Sequence, residues 1–251
     1  MIGGNMQHFF VTPEQVTETH IYIHGSDVNH MKNVLRMKLG EQVEINDGNN
    51  RKFLGEIEEI EMQEILVKIL EEYKSDTELS SKIYLFQGLP KVDKMEMIVQ
   101  KAVELGATEV IPVVTKRTIV KLDDKKKDKK VERWNSIAAS AAKQSARGIM
   151  PKVTRVMQWK EALDYAKTMT HILVPYELAE NMKETRNIIE GIRSGESIAV
   201  FIGPEGGFDR SEIEQVMELG MKPITLGKRI LRTETAGLTM LSILMYHLED
   251  R

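Results

Sequence analysis

The apolar positions follow two regimes along this chain, and the change between them divides it. Over residues 7–74 they come in short runs rich in β-branched side chains: His8-Phe9-Phe10-Val11, Ile21-Tyr22-Ile23, Gln42-Val43-Glu44-Ile45 and Ile65-Leu66-Val67-Lys68-Ile69. Such runs predict strands. Asn46-Asp47-Gly48-Asn49-Asn50 predicts a tight turn between two of them. One short helix is expected over residues 27–37, capped by Ser26 or Asp27. Short strands around tight turns predict a small β-barrel. The polar stretch 74–81 reads as a linker. From Lys82 onward strand runs alternate with helical periodicity, which predicts an α/β domain whose parallel sheet is covered on both faces. The expected strands are 83–87, 110–114, 171–174, 198–202 and 223–226. A helix with Met95, Ile98, Ala102 and Leu105 on one face stops at Gly106, and others are expected over 129–146, 159–167 and 181–192. No internal repeat is visible.

The last fifty residues hold the densest signals. The apolar run Ile198-Ala199-Val200-Phe201-Ile202 breaks into Gly203-Pro204-Glu205-Gly206-Gly207, after which Asp209 opens a helix with Glu212 as its capping-box partner. The next strand spills into Gly227-Lys228-Arg229-Ile230-Leu231-Arg232, and Thr233 is placed to cap a final helix with Leu238, Leu241, Met245 and Leu248 on one face. Two successive strands thus end in special loops at the edge of an open α/β sheet where ligands bind. GPEGGF lacks the Lys-Ser/Thr pair of a phosphate loop and the spacing of a dinucleotide fingerprint. Its glycines allow close backbone approach, and Glu205 favours a cationic or hydroxyl-rich ligand over a polyanion. Ordinary αβ turns would account for either loop alone.

Composition narrows the class. A net charge of −3 over 251 residues makes the chain as a whole no basic nucleic-acid binder, so any such surface is local. With no cysteine, disulfides and thiolate metal sites are excluded, which fits a reducing cytoplasm. The histidines are scattered without metal-ligand spacing, so no metal is expected, and no apolar run approaches a membrane span. No signal segment opens the chain, and residues 1–5 read as a cloning scar or alternative start. Between Lys116 and Arg133 stand nine basic residues against four acidic ones, either a solvated loop and helix start or a phosphate-contacting patch that includes Lys125, Lys126 and Lys127. Glu56, Glu58, Glu59, Glu61 and Glu64 form an acidic part of the first region, read as a solvated face.

GPEGGF followed by LGKRILRTETA resembles the SPOUT (trefoil-knot) methyltransferases, in particular the family that methylates N3 of a uridine in 16S ribosomal RNA. Gly88-Leu89-Pro90-Lys91, Asp93-Lys94-Met95-Glu96 and Gln100 to Gly106 are similar to the segment around its first helix. Gln144-Ser145-Ala146-Arg147 and His30 with Val34-Leu35-Arg36 match two further signatures, so the likeness runs from Met6 to the end. Val92 and Lys143 depart from the family's usual glycine and glutamate.

The resemblance implies a PUA-like barrel over 6–74 that contacts RNA, and over 80–251 a methyltransferase domain that binds S-adenosylmethionine, is knotted at its C-terminal end, and forms a homodimer through its last helix. It places Ile202, Gly203, Glu205, Gly206, Leu226, Gly227, Ile230 and Leu231 at the methyl donor. RNA contacts would come from Arg36, Lys38, Gln144 and Arg147 beside the three lysines. The partner would be 16S rRNA or the assembled small ribosomal subunit, with no membrane involved. Uridine N3 must lose a proton as it is methylated, so the uracil ring gains negative charge that an enzyme has to stabilise. Arg232 is the expected source of that stabilisation. Glu234 could accept a proton, orient Arg232, or simply complement the helix dipole. Two other readings stay open: a SPOUT enzyme acting on the ribose 2′-hydroxyl of tRNA, and a non-catalytic RNA-binding or ribosome-assembly factor.

Overall fold

The computed structural model of the protein describes residues 6–91, 94–120 and 123–249. Residues 1–5, Val92, Asp93, Lys121, Leu122 and residues 250–251 lie outside these. The chain divides into two compact units. The first runs to Glu78 and also takes in Ala142–Met150; the second comprises Leu79–Ala141 and the chain from Pro151 onward.

The first unit is a five-stranded sheet in the order β1 (Gln7–Phe10), β3 (Gln42–Asn46), β4 (Arg51–Ile60), β5 (Glu64–Lys74), β2 (His20–His24). The β1–β3 pair is parallel and the others antiparallel. Its alternate residues bury one core that includes Phe9, Ile21, Ile45, Phe53, Ile57 and Ile65. The strand β4 has no counterpart in the apolar pattern, because its inward positions include Gly55 and Glu56 and Glu58 interrupt them. A register shift between Ile57 and Glu59 then breaks the period of two. The helix expected over 27–37 is shorter: α1 (Ser26–Asn29) passes into a π-turn over His30–Val34, and Arg36, at φ 56°, ends it.

The expected turn at 46–50 forms, with Asp47 Oδ1 accepting the N–H groups of Asn49 at 2.8 Å and Arg51 at 3.2 Å. What the sequence did not announce is its partner. Asn50 N–H donates to Gly148 O at 2.9 Å, Met150 N–H to Gly48 O at 3.1 Å, and the buried Asn46 amide to Arg147 O at 3.0 Å. The segment 142–150 is therefore fastened to this unit although about a hundred residues separate it from the turn.

In the second unit all strand pairs are parallel, in the order β10 (His171–Leu173), β11 (Ser197–Ile202), β6 (Lys82–Gly88), β7 (Ala107–Val114), β8 (Lys152–Val153), with β9 (Met157–Gln158) beside β7. Among the described residues six helices accompany them: α2 (Lys94–Glu104), α3 (Asp124–Gln144), α4 (Trp159–Ala166), α5 (Met182–Glu190), α6 (Arg210–Glu218) and α7 (Thr233–Leu248). Phe86 of β6 stacks on Phe201 of β11, centroids 4.4 Å apart, and Trp159 meets Phe201 edge-on. The strand expected over 223–226 is reduced to a single bridge between Pro175 and Ile224. Pro223 has no N–H to give, and that of Thr225 goes to the Thr185 hydroxyl at 3.1 Å. The helix expected from residue 129 begins five residues earlier, at Asp124, because the Lys126 N–H finds Asp123 Oδ1 at 2.9 Å.

Candidate functional site

The strand β6 has β7 on one side and β11 on the other, so chain connections diverge there, the place where an open sheet forms a crevice beyond its C-terminal edge. Three stretches from that edge enclose a cavity of about 950 Å³: 175–182 after β10, 202–208 after β11, and 225–233 after the Ile224 bridge, with Lys94 of α2 completing the wall. That volume suits a ligand of cofactor size. Ile202, Leu226, Ile230 and Leu231 supply apolar wall, Glu177, Glu180 and Glu205 supply negative charge, and Lys228, Arg229 and Arg232 supply positive charge. A zwitterionic ligand with a hydroxyl-bearing, partly apolar body fits such a lining.

The glycine loop is held by its own tight packing. A Cβ on Gly203 would lie 3.0 Å from the Gly207 carbonyl carbon, and one on Gly88 would lie 2.6 Å from Pro204 Cδ. Gly203 is thus required by the loop's backbone rather than by ligand space. Gly206, expected at the donor, is not in the cavity wall. It faces Arg117, whose Nη1 donates to the Gly206 carbonyl at 2.8 Å and whose Cβ would sit 3.3 Å from an added Cβ. Beside it, Asp209 and Glu212 form the expected capping box, and the buried Glu212 also accepts the Lys116 N–H at 2.8 Å. The start of the basic run is therefore fastened to the glycine loop, which the sequence alone did not connect.

Thr233 is not the cap of α7. Arg232 holds that position in extended conformation, and the Thr233 hydroxyl instead donates to Gly203 O at 2.6 Å while accepting from Gln87 Nε2 at 2.9 Å. Arg232 is exposed and its guanidinium has no ion pair among the described residues, so it is free to meet a ligand. Glu234 does not orient it. The Glu234 carboxylate turns to Lys94, whose Nζ lies 3.2 Å from Oε2 at ion-pair distance but without hydrogen-bond alignment, and 3.3 Å from Glu205 Oε1. Glu205 also receives the Lys91 N–H, at 3.1 and 3.2 Å. Burial pushes the Glu205 carboxyl up, but its own N–H, that of Lys91 and the Lys94 ammonium outweigh it and hold it below its ordinary value. The close approach of the Glu205 carboxylate, and then that of Glu234, raises Lys94 above its own. Lys94, Glu177 and Glu180 were missed as site residues; the pair of glutamates directly after a strand end was their one visible signal.

The expected RNA contacts separate. Arg36 and Lys38 are exposed, beside the exposed apolar Val34 and Leu39. Lys125 is exposed, whereas Lys126 and Lys127 pair with Asp123 and Asp124 at 3.1 and 2.8 Å in the first turns of α3. Gln144 is exposed at the end of that helix. Arg147 is a correction: it is buried, and its guanidinium is held by Glu78 at 2.5 Å, while Glu78 also accepts the N–H groups of Gly148 and Ile149. Its charge is spent inside the first unit, fastening 142–150 there. A smaller groove of about 660 Å³ between α4 and α6 has neither glycine loop nor free arginine. Among the described residues, no cluster of acidic and histidine side chains could hold a metal, and no helix is long and apolar enough to cross a membrane.

Comparison with known proteins agrees with this geometry. Residues 77–245 match the model of an RNA methyltransferase domain family, and residues 23–70 that of an RNA methyltransferase PUA domain. Ribosomal RNA small subunit methyltransferase E of Bacillus subtilis is 37% identical over 250 residues, 97% of this chain and 98% of the relative. The crystal structure of the Neisseria gonorrhoeae protein of that name, bound to S-adenosyl methionine, is 33% identical with a TM-score of 0.78, covering 94% of this chain and 96% of that one. A Legionella pneumophila methyltransferase in complex with the same cofactor is 31% identical with a TM-score of 0.80, covering 97% and 98%. A two-unit chain, with its glycine-loop cavity at the sheet edge, matched from end to end: it belongs to the ribosomal RNA small subunit methyltransferase E family.

Proposed function

We propose that this protein transfers a methyl group from S-adenosylmethionine to N3 of a uridine in 16S ribosomal RNA within the small ribosomal subunit, a cytoplasmic target. The observation that carries the reading is the cavity at the C-terminal edge of the sheet, walled by Ile202, Leu226 and Leu231 and faced by Arg232, which has no ion pair among the described residues. S-adenosylmethionine would supply a methyl on a sulfonium, which leaves as a neutral thioether. The apolar residues would seat the adenine, the hydroxyl groups and ammonium would face Glu177 or Glu180, and the carboxylate would face Lys228 or Arg229. Arg232 presents a fixed fork of donors to a uracil carbonyl as N3 gives its proton to water and negative charge passes onto the ring. Arg36 and Lys38, with Val34 and Leu39 exposed beside them, and Lys125 with Gln144 are the proposed RNA contacts.

The α7 face formed by Thr235, Leu238, Thr239, Ser242, Ile243 and Tyr246 lies open to solvent, with Tyr246 73% exposed, which supports a homodimer joined through that helix. The C-terminal trefoil knot is proposed from the likeness of GPEGGF and LGKRILRTETA to the knotted methyltransferases. The deciding experiment is nucleoside mass spectrometry of 16S rRNA from a strain lacking the protein. Loss of 3-methyluridine, restored by purified protein with donor and small subunits, is expected. An unchanged 16S profile with a missing 2′-O-methyl nucleoside in tRNA would overturn the proposal.

A further inference from the structure

Lys94 is out of place by ordinary rules. Its cation lies in the first described turn of α2, near the positive end of the helix dipole, a position that favours carboxylates. Its ammonium stands between two carboxylates from different parts of the chain, Glu205 of the glycine loop at 3.3 Å and Glu234 of α7 at 3.2 Å. Those carboxylates would repel each other without it. The side chain is one-third exposed at the cavity wall, so it is neither a core fastening nor a solvated surface charge. A second fastening joins the same two elements on the buried side, where Gln87 and Thr233 tie α7 to Gly203 O through neutral hydrogen bonds. Both border the cavity, the ionic one through Lys94 and Glu205 and the neutral one through Gly203 and Thr233. Arg232 sits at the N-cap of α7, two residues from Glu234, so whatever sets the gap between Glu205 and Glu234 also sets where Arg232 stands over the glycine loop.

We infer that Lys94 is a positioning residue for the methyl transfer, its ammonium bridging Glu205 and Glu234 so that the cofactor loop and Arg232 are held at one working distance. The inference rests on the functional reading given above. It separates the two carboxylates from proton transfer: both are occupied by the bridge, and each acts on the reaction through geometry. An arginine can span two carboxylates in the same way, whereas a methionine of similar length cannot.

The test compares wild type, Lys94→Met, Lys94→Arg and Glu234→Gln in single-turnover methyl transfer to small ribosomal subunits at saturating S-adenosylmethionine, with donor affinity measured by calorimetry. Misplacing a reacting group by about 1 Å costs on the order of 10²-fold, so Lys94→Met is expected to lose about 10- to 100-fold in rate. Its donor affinity should change less than about threefold, since the bridge is not itself a donor contact. Lys94→Arg should recover most of the rate. Lys94→Met combined with Glu234→Gln should be no slower than the worse single variant, because both remove the same bridge. Should Lys94→Met fold poorly, Glu234→Gln opens the bridge from the α7 end and is held to the same split. Undiminished transfer by Lys94→Met would overturn the inference. So would losses that multiply in the double variant, or a large loss of donor affinity with normal saturated rate, which would make Lys94 a direct ligand contact. Wild-type protein that transfers no methyl group in the same assay would instead overturn the functional reading.

Discussion

The substitution Gly88→Ala tests the cavity's construction most directly. Gly88 ends β6, directly beneath the glycine loop, and an added Cβ would lie 2.6 Å from Pro204 Cδ, 2.7 Å from Pro204 N and 3.1 Å from Gly203 C. Ordinary contact begins near 3.4 Å, so backbone or ring atoms must retreat by about 0.8 Å, and none is the tip of a flexible side chain. Overpacking of this kind costs about 1–3 kcal/mol. If β6, locked between β11 and β7, holds still, the loop moves instead. A shift approaching 1 Å at Pro204 passes to the cavity wall and, through Gly203 O and Thr233, to Arg232. The expected result is a fall in single-turnover rate of about 10²-fold with weakened S-adenosylmethionine binding by calorimetry. Gly195→Ala is the control: it meets nothing within 4 Å but strains a backbone at φ 87°, so it lowers thermal stability without touching the cavity. Wild-type affinity and rate in Gly88→Ala would show that the sheet yields rather than the loop and refute the reasoning.

Four further outcomes are expected. Arg232→Ala should lose about 10²–10³ in kcat, with Arg232→Lys recovering part of it, because the fork acts on charge that appears only in the transition state; weakened binding with normal saturated turnover would reassign it. Replacing Lys125 should flatten the salt dependence of RNA binding by about one contact's worth of slope, and an unchanged slope would make the start of α3 a solvated surface. Arg147→Met should destabilise the protein by about 3–5 kcal/mol in chemical denaturation, since it strands the Glu78 carboxylate, while leaving donor affinity as in wild type. The stabilisation that Lys94→Met removes should depend on pH at both ends. Glu205 is depressed, so its share is present above about 4.5 and lost as pH falls through its lower folded value; Lys94 is raised, so its share is present below about 10.5 and lost as pH rises through its higher one. A wild-type minus variant difference that is flat beyond both limits would contradict the bridge.

What the sequence made legible were local signals. The run 198–202, the glycines after it and the Asp209–Glu212 box each need only near neighbours, and each forms where the pattern places it. Strand β4 escaped because Gly55 and two outward glutamates hide its alternation. Contacts between distant residues escaped more completely. Nothing in DKMEM marks Lys94 as the meeting point of Glu205 and Glu234, and nothing in QSAR says that its arginine turns inward to Glu78. A motif shows which residue types stand together in sequence; charge pairing across a fold decides which of them remain free to act. Arg232 remains free and Arg147 does not, though both are arginines in strong motifs.

The fastening of 142–150 onto the 46–50 turn also bears on how the chain is made. Asn46 waits for the carbonyl of Arg147, 101 residues downstream. At about 5–20 residues per second of synthesis, that is a delay on the order of 5–20 s, during which the first strands emerge without their last partner. The N-terminal unit is therefore completed only after part of the next unit has been translated. A chain cut at the linker would release a sheet whose 46–50 turn lacks the segment 142–150, with Glu78 deprived of Arg147. The boundary between the two units in space is not one at which a gene could be divided.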